Sequence, residues 1–237
     1  MTAYHAEDAD WSVLTALKSA YDAYRDNYVP LTAVAMIWLM PIFLLEALQV
    51  NPRLQVLYVF VVGALLMIGL APSVSESLLG HPVRLGECLV MSFTKLRLTA
   101  PMLALIMVLG VAGALVLLVL PGLYLLAAWS VAGPVMAAEK LGATTALRRS
   151  MILTRRRIFR VGSVVVIWSV IVFFLVMGGQ ILAAAIATEG LQWNRLIGFI
   201  VQSMLVAVTA CLATVLYCLL RFDKEGITLE LVSDTLH

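Results

Sequence analysis

Residues 101–138, PMLALIMVLGVAGALVLLVLPGLYLLAAWSVAGPVMAA, contain no Asp, Glu, Lys or Arg. Coiled into one helix, such a run would extend about 57 Å, nearly twice the roughly 30 Å hydrocarbon core of a bilayer. It is too apolar for a surface loop and too long for one upright crossing, so two crossings are predicted. Pro121-Gly122, a pair that punctuates helices, sits near its centre. A tight hairpin is expected there, at LPGLY. One kinked, steeply tilted helix is the alternative.

The rest of the chain agrees with a lipid environment. Hydrophobic residues make up 62% and charged residues 13%, against about 45–50% and 25% in soluble domains. The acidic, polar start MTAYHAEDADWSV is unlike a cleavable signal peptide. Spans of suitable length are predicted at about 29–50, 56–79, 101–120, 122–138, 161–187 and 196–220. Residues 1–27 read as a cytoplasmic amphipathic segment, 28–222 as the membrane domain and 223–237 as a loosely ordered cytoplasmic tail. The expected fold is all-α: a polytopic six-transmembrane-helix bundle with amphipathic interfacial helices.

Orientation follows from Lys and Arg, which resist translocation. With six spans and both termini cytoplasmic, the inner face receives Lys18, Arg25, Arg84, Lys95, Arg97, Lys140, Arg148, Arg149, Arg155, Arg156, Arg157, Arg160, Arg221 and Lys224. Only Arg53 and Arg195 face outward. Five spans would spoil this asymmetry.

Seven of these cations fall in EKLGATTALRRSMILTRRRIFR, residues 139–160, with a single acid. The topological reading is that Arg155, Arg156, Arg157 and Arg160 hold the start of the fifth span inside. Thr144 or Thr145 can cap a helix, and Leu147, Met151, Thr154 and Ile158 recur at helical spacing. An interfacial helix follows, with its apolar face toward lipid or the bundle and its arginines toward headgroups. Lys140, Arg148, Arg149, Arg155, Arg156, Arg157 and Arg160, with Arg84, Lys95 and Arg97 on the other basic loop, are the candidate lipid-headgroup or partner contacts. Anionic lipid attracts such clusters by about 1 kcal/mol per cation. In the N-terminal segment, Trp11, Leu14, Leu17, Tyr21 and Tyr24 form a predicted apolar face, directed at the membrane surface or at the bundle.

Inside the spans, Glu46 and Glu76 lie near ends where a carboxylate can reach the interface. Gln180 and Gln202 lie deeper and can bond across helices. The small-residue pairs Gly110/Ala114, Ala128/Ala132 and Ala183/Ala187 predict close packing, and Pro134 predicts a kink. Cys88, Cys211 and Cys218 read as small buried hydrophobes. His5, His81 and His237 are too scattered for a metal site. Ser73, Ser75 and Ser77 lack a base, and no nucleophile, zinc or phosphate-loop motif is present. No enzymatic activity, cofactor, metal or nucleic-acid partner is expected.

Pro121-Gly122, Pro134, Glu139, Gly142, Ala146-Leu147, Ser150 and Leu153-Thr154 together form a pattern. It resembles that of bacterial inner-membrane proteins of the YciC-like family, and of the related membrane domain fused to some glycerophosphodiester phosphodiesterases. The match covers Pro121 to Ser169 closely and the remainder in hydropathy and length. The resemblance implies a six-helix inner-membrane protein and supports the hairpin. It brings no catalytic residues, since the phosphodiesterase unit is a separate soluble domain. The run after Thr154 is richer in arginine than the family pattern.

The reading that follows is a non-enzymatic inner-membrane protein that organises lipids or partner proteins, with a basic cytoplasmic face on anionic lipid. A membrane-protein partner or a homo-oligomer is compatible with it. The alternative is a small transporter or channel component acting as an oligomer.

Overall fold

The computed structural model describes residues 11–81, 83, 85–94, 102, 106, 107, 110, 113, 119–186 and 193–226. In chain order the helices are α1 (Val13–Asp26), α2 (Tyr28–Leu39), α3 (Pro41–Ala47), α4 (Pro52–Gly69), α5 (Ala71–Leu78), α6 (Leu85–Thr94), α7 (Val119–Trp129), α8 (Ala132–Glu139), α9 (Ala143–Thr154), α10 (Ile158–Ile186) and α11 (Trp193–Glu225). A 3-10 turn, Arg155–Arg157, joins α9 to α10. The described residues contain no strand.

Proline sets the breaks. Its ring removes a donor and crowds the carbonyl four residues back. α2 stops at Met40 before Pro41, α4 and α5 part at Leu70 before Pro72, and α7 and α8 part at Ser130-Val131, one turn before Pro134. Pro121 and Gly122 do not form the expected turn. Both lie in helical conformation within α7.

Gly110 and Trp129 are not, however, joined by one straight helix. Gly110 backs onto Trp129, and a Cβ at Gly110 would fall 2.6 Å from the indole. Along one straight helix those residues would stand about 28 Å apart. One continuous helix is therefore ruled out.

Four helical stretches are long and apolar enough to cross a membrane: Tyr28–Leu45, Leu120–Glu139, Ala143–Gly179 and Leu196–Glu225. A fifth appears if Arg53–Gly69 and Ala71–Leu78, bent by 48°, count as one. Most of the span expected at 101–120 lies outside the described residues.

α11 is the central pillar. Its small residues Ala207, Ala210, Cys211 and Ala213 admit close neighbours, and α1, α2, α4, α5, α8, α9 and α10 all pack on it. Everything from Leu205 to Leu220 except Val206, Val208 and Thr209 is buried. Toward its start, Leu196, Ile197, Ile200 and Met204 are exposed. Met40, Leu44, Phe60, Phe173 and Phe174 on other parts of the chain are exposed as well. Cys88, Cys211 and Cys218 are buried free thiols.

α1 packs by a face other than the one its large residues predicted. Ala16, Ala20 and Ala23 are buried with Trp11 and Tyr24, whereas Leu14 and Tyr21 are exposed. Alanine lets two helix backbones approach closely, and the bulky side chains stay outside. α1 is consequently packed on the bundle, one of the two uses its sequence allowed. At its end Asn27 donates through Nδ2 to Ser77 Oγ at 2.9 Å and accepts from the Val83 amide at 3.0 Å. The Ser77 hydroxyl in turn donates to the Ala23 carbonyl at 2.7 Å. Ser75 bonds to its own helix at Ala71. His81 Nδ1 lies 2.7 Å from Glu76. The side chains of Glu46 and Gln180 lie outside the described residues.

Candidate functional site

α9 starts at Ala143 with Gly142 as its N-cap and no side-chain cap. Neither Thr144 nor Thr145 plays the capping role expected of it, and both are exposed. Lys140, in the left-handed region at φ 52°, ends α8 and turns the chain back. α8 and α9 thus stand side by side. Ser150, fully buried, donates its hydroxyl to the Ala128 carbonyl at 2.7 Å. Twelve residues on, Gly162 rests against Ala127, 3.6 Å from where its own Cβ would be. A straight helix would separate Ser150 and Gly162 by about 18 Å, too far to touch adjacent residues of α7. The chain accordingly bends at the arginine 3-10 turn.

This bend turns three arginines inward. Arg149 Nε donates to both carboxylate oxygens of Glu139 at 3.1 Å, and its Nη2 reaches Glu225. Glu225 also accepts from Arg221 Nε at 3.2 Å, and Arg221 Nη1 donates to the buried Tyr217 hydroxyl at 2.7 Å. Arg157 forks onto Asp223, with contacts of 3.2 and 3.0 Å. Lys224 donates to the Ile152 carbonyl at 2.8 Å. Arg160 donates to the Trp11 carbonyl at 3.1 Å and lies over the Trp11 ring, 5.9 Å from its centroid. Two-pronged guanidinium–carboxylate pairs fix orientation as well as charge. The end of α11, the arginine segment and the start of α1 are in this way clasped at one end of the bundle.

Lys140, Arg148, Arg155 and Arg156 are exposed, and none forms an ion pair among the described residues. The ten candidate contact residues therefore divide. Arg149, Arg157 and Arg160 are engaged within the chain, the other four point outward, and Arg84, Lys95 and Arg97 lie outside the described residues. Of the clasp's acidic half, Glu139 was named only within the family-like pattern, and Asp223 and Glu225 were not singled out from sequence. The four-residue step from Arg221 to Glu225 was the one local signal. The tail expected from 223 onward was placed too early, since α11 continues through Glu225.

Among the described residues no group of His, Cys, Asp and Glu could hold a metal. No known family, curated protein or solved structure matches the chain.

Proposed function

We propose that this is a non-enzymatic, six-span bacterial inner-membrane protein with both termini cytoplasmic, organising anionic lipid or a partner protein through its basic inner face. The observation that carries the reading is the division of cations within residues 139–160. Arg149, Arg157 and Arg160 are committed to Glu139, Glu225, Asp223 and Trp11. Lys140, Arg148, Arg155 and Arg156 remain exposed beside them. Exposed cations at a span's inner end also fix its orientation, and headgroup phosphates fit the same outward-facing set. The close approach of Gly110 to Trp129 favours the sixth span, the bend at Arg155–Arg157 favours an interfacial α9, and the resemblance to YciC-like proteins favours the inner membrane.

The test is anionic lipid retained after gentle extraction, measured by native mass spectrometry. Changing Lys140, Arg148, Arg155 and Arg156 together to glutamine should lower it several-fold. Changing the three arginines to lysine should preserve it, because diffuse attraction depends on charge rather than fork geometry. Unchanged lipid in the glutamine variant would sink the proposal.

A further inference from the structure

α1 presents a second surface that the clasp does not use. At about 100° per residue, Leu14, Lys18, Tyr21 and Arg25 fall within about 40° of one line along the helix. All four are exposed, Leu14 at 76% and Tyr21 at 56%. Tyr28 and Val29, just past the Asn27 break, are exposed as well, and Ile37, Met40 and Leu44 follow on α2 and α3. One stripe over, Thr15, Asp22 and Asp26 form a polar edge, with Asp26 and Asp22 3.3 and 3.8 Å from Arg25.

We infer that the Leu14–Lys18–Tyr21–Arg25 stripe lies in the lipid interface of the membrane the bundle occupies, with the Thr15–Asp26 edge in water. Three observations single out lipid as the occupant. The exposed apolar residues of the stripe are followed along the chain by exposed Tyr28 and Val29 at the start of α2, an apolar helix long enough with α3 to cross a membrane. Tyrosine, with an apolar ring and a polar tip, suits headgroup depth. Lysine and arginine lay their methylenes on acyl chains while the charge reaches phosphate. Ala16, Ala20 and Ala23 bring the helix close to α11, which sets the stripe's position without any lipid. Lys18 and Arg25 are balanced by Asp22 and Asp26, so this contact is held by apolar burial and does not require anionic headgroups. It stands independently of the lipid reading of residues 140–156.

The test uses Leu14→Cys, Tyr21→Cys, Thr15→Cys and Asp26→Cys, each carrying an environment-sensitive fluorophore in nanodiscs. Native Cys88, Cys211 and Cys218 are buried and stay unlabelled in the folded protein, so no cysteine-free background is needed. Probes at 14 and 21 should be blue-shifted and quenched by nitroxide lipid labelled near the headgroup. Probes at 15 and 26 should be quenched by aqueous iodide. The pattern should be the same in pure phosphatidylcholine as with phosphatidylglycerol added. Iodide quenching at all four positions would place the stripe in water. Protection from both quenchers at 14 and 21 would mean that protein covers it, and a requirement for phosphatidylglycerol would mean that charge holds it. Any of these three results overturns the inference.

Discussion

The Ser150 hydroxyl donates a hydrogen bond to the Ala128 carbonyl 2.7 Å away, joining α9 to α7. Ser150→Ala should destabilise the bundle by about 1–2 kcal/mol, because a buried carbonyl loses its donor. Ser150→Val should cost more, since bulk is added where helices touch. The buried native cysteines supply the readout. A thiol-reactive dye followed during heating reports when Cys211 and Cys218 become accessible.

Arg149 and Arg148 are sequence neighbours with different work. Arg149→Lys should lower thermal stability, because an ammonium cannot span Glu139 and Glu225 as the fork does. Arg148→Lys should leave it unchanged. Arg149→Gln and Glu225→Gln combined should cost less than their separate effects added, with a coupling of about 1–2 kcal/mol. Additive losses would mean that the two residues do not act together.

Exchanging Arg157 and Asp223 tests the second fork. Arg157→Asp alone places two carboxylates together and should destabilise strongly. Adding Asp223→Arg should recover much of the loss in the same dye assay, because both members are largely shielded from water.

At Gly110 there is no room for a methyl group. Gly110→Ala would meet the Trp129 ring at 2.6 Å and should destabilise the bundle by about 1–3 kcal/mol through overpacking. Trp129→Leu, which shortens the obstructing side chain, should rescue part of that loss. No rescue would mean that the two segments do not face each other.

Cysteine labelling from outside the cell separates six spans from five. Leu120, 78% exposed at the start of α7, should react with an impermeant reagent when changed to cysteine. Thr145→Cys should react only after permeabilisation. Gly122 is a poor reporter despite its place near the expected turn, since it is buried.

Helix content and the presence of several helices apolar enough to cross a membrane were legible because both rest on local composition. Pro134 needed only its missing donor to predict a break in the helix around it. Pro121 was misread because the same residue favours both a turn and the first turn of a helix, and sequence alone does not choose. Which residues of α1 pack inward was only partly legible, for a different reason. Large apolar residues dominate any periodicity count, yet Ala16, Ala20 and Ala23 decide which face can come closest to α11. The clasp itself was missed because Glu139 and Glu225 are 86 positions apart in the numbering. No periodicity links residues that meet only when three helices are assembled.

α11 follows, in chain order, every helix that packs against it. During synthesis α1, α2, α4, α5, α8 and α9 therefore emerge with their inward faces unmatched, however well each inserts on its own. Their alanine- and serine-lined surfaces must wait until residues 205–225 have left the ribosome. A stop codon shortly after Met204 would leave an inserted but unassembled protein, open to proteases and unable to form the clasp. Insertion of the earlier helices and their packing are thus expected to be separate events, with the arrival of α11 setting the time between them.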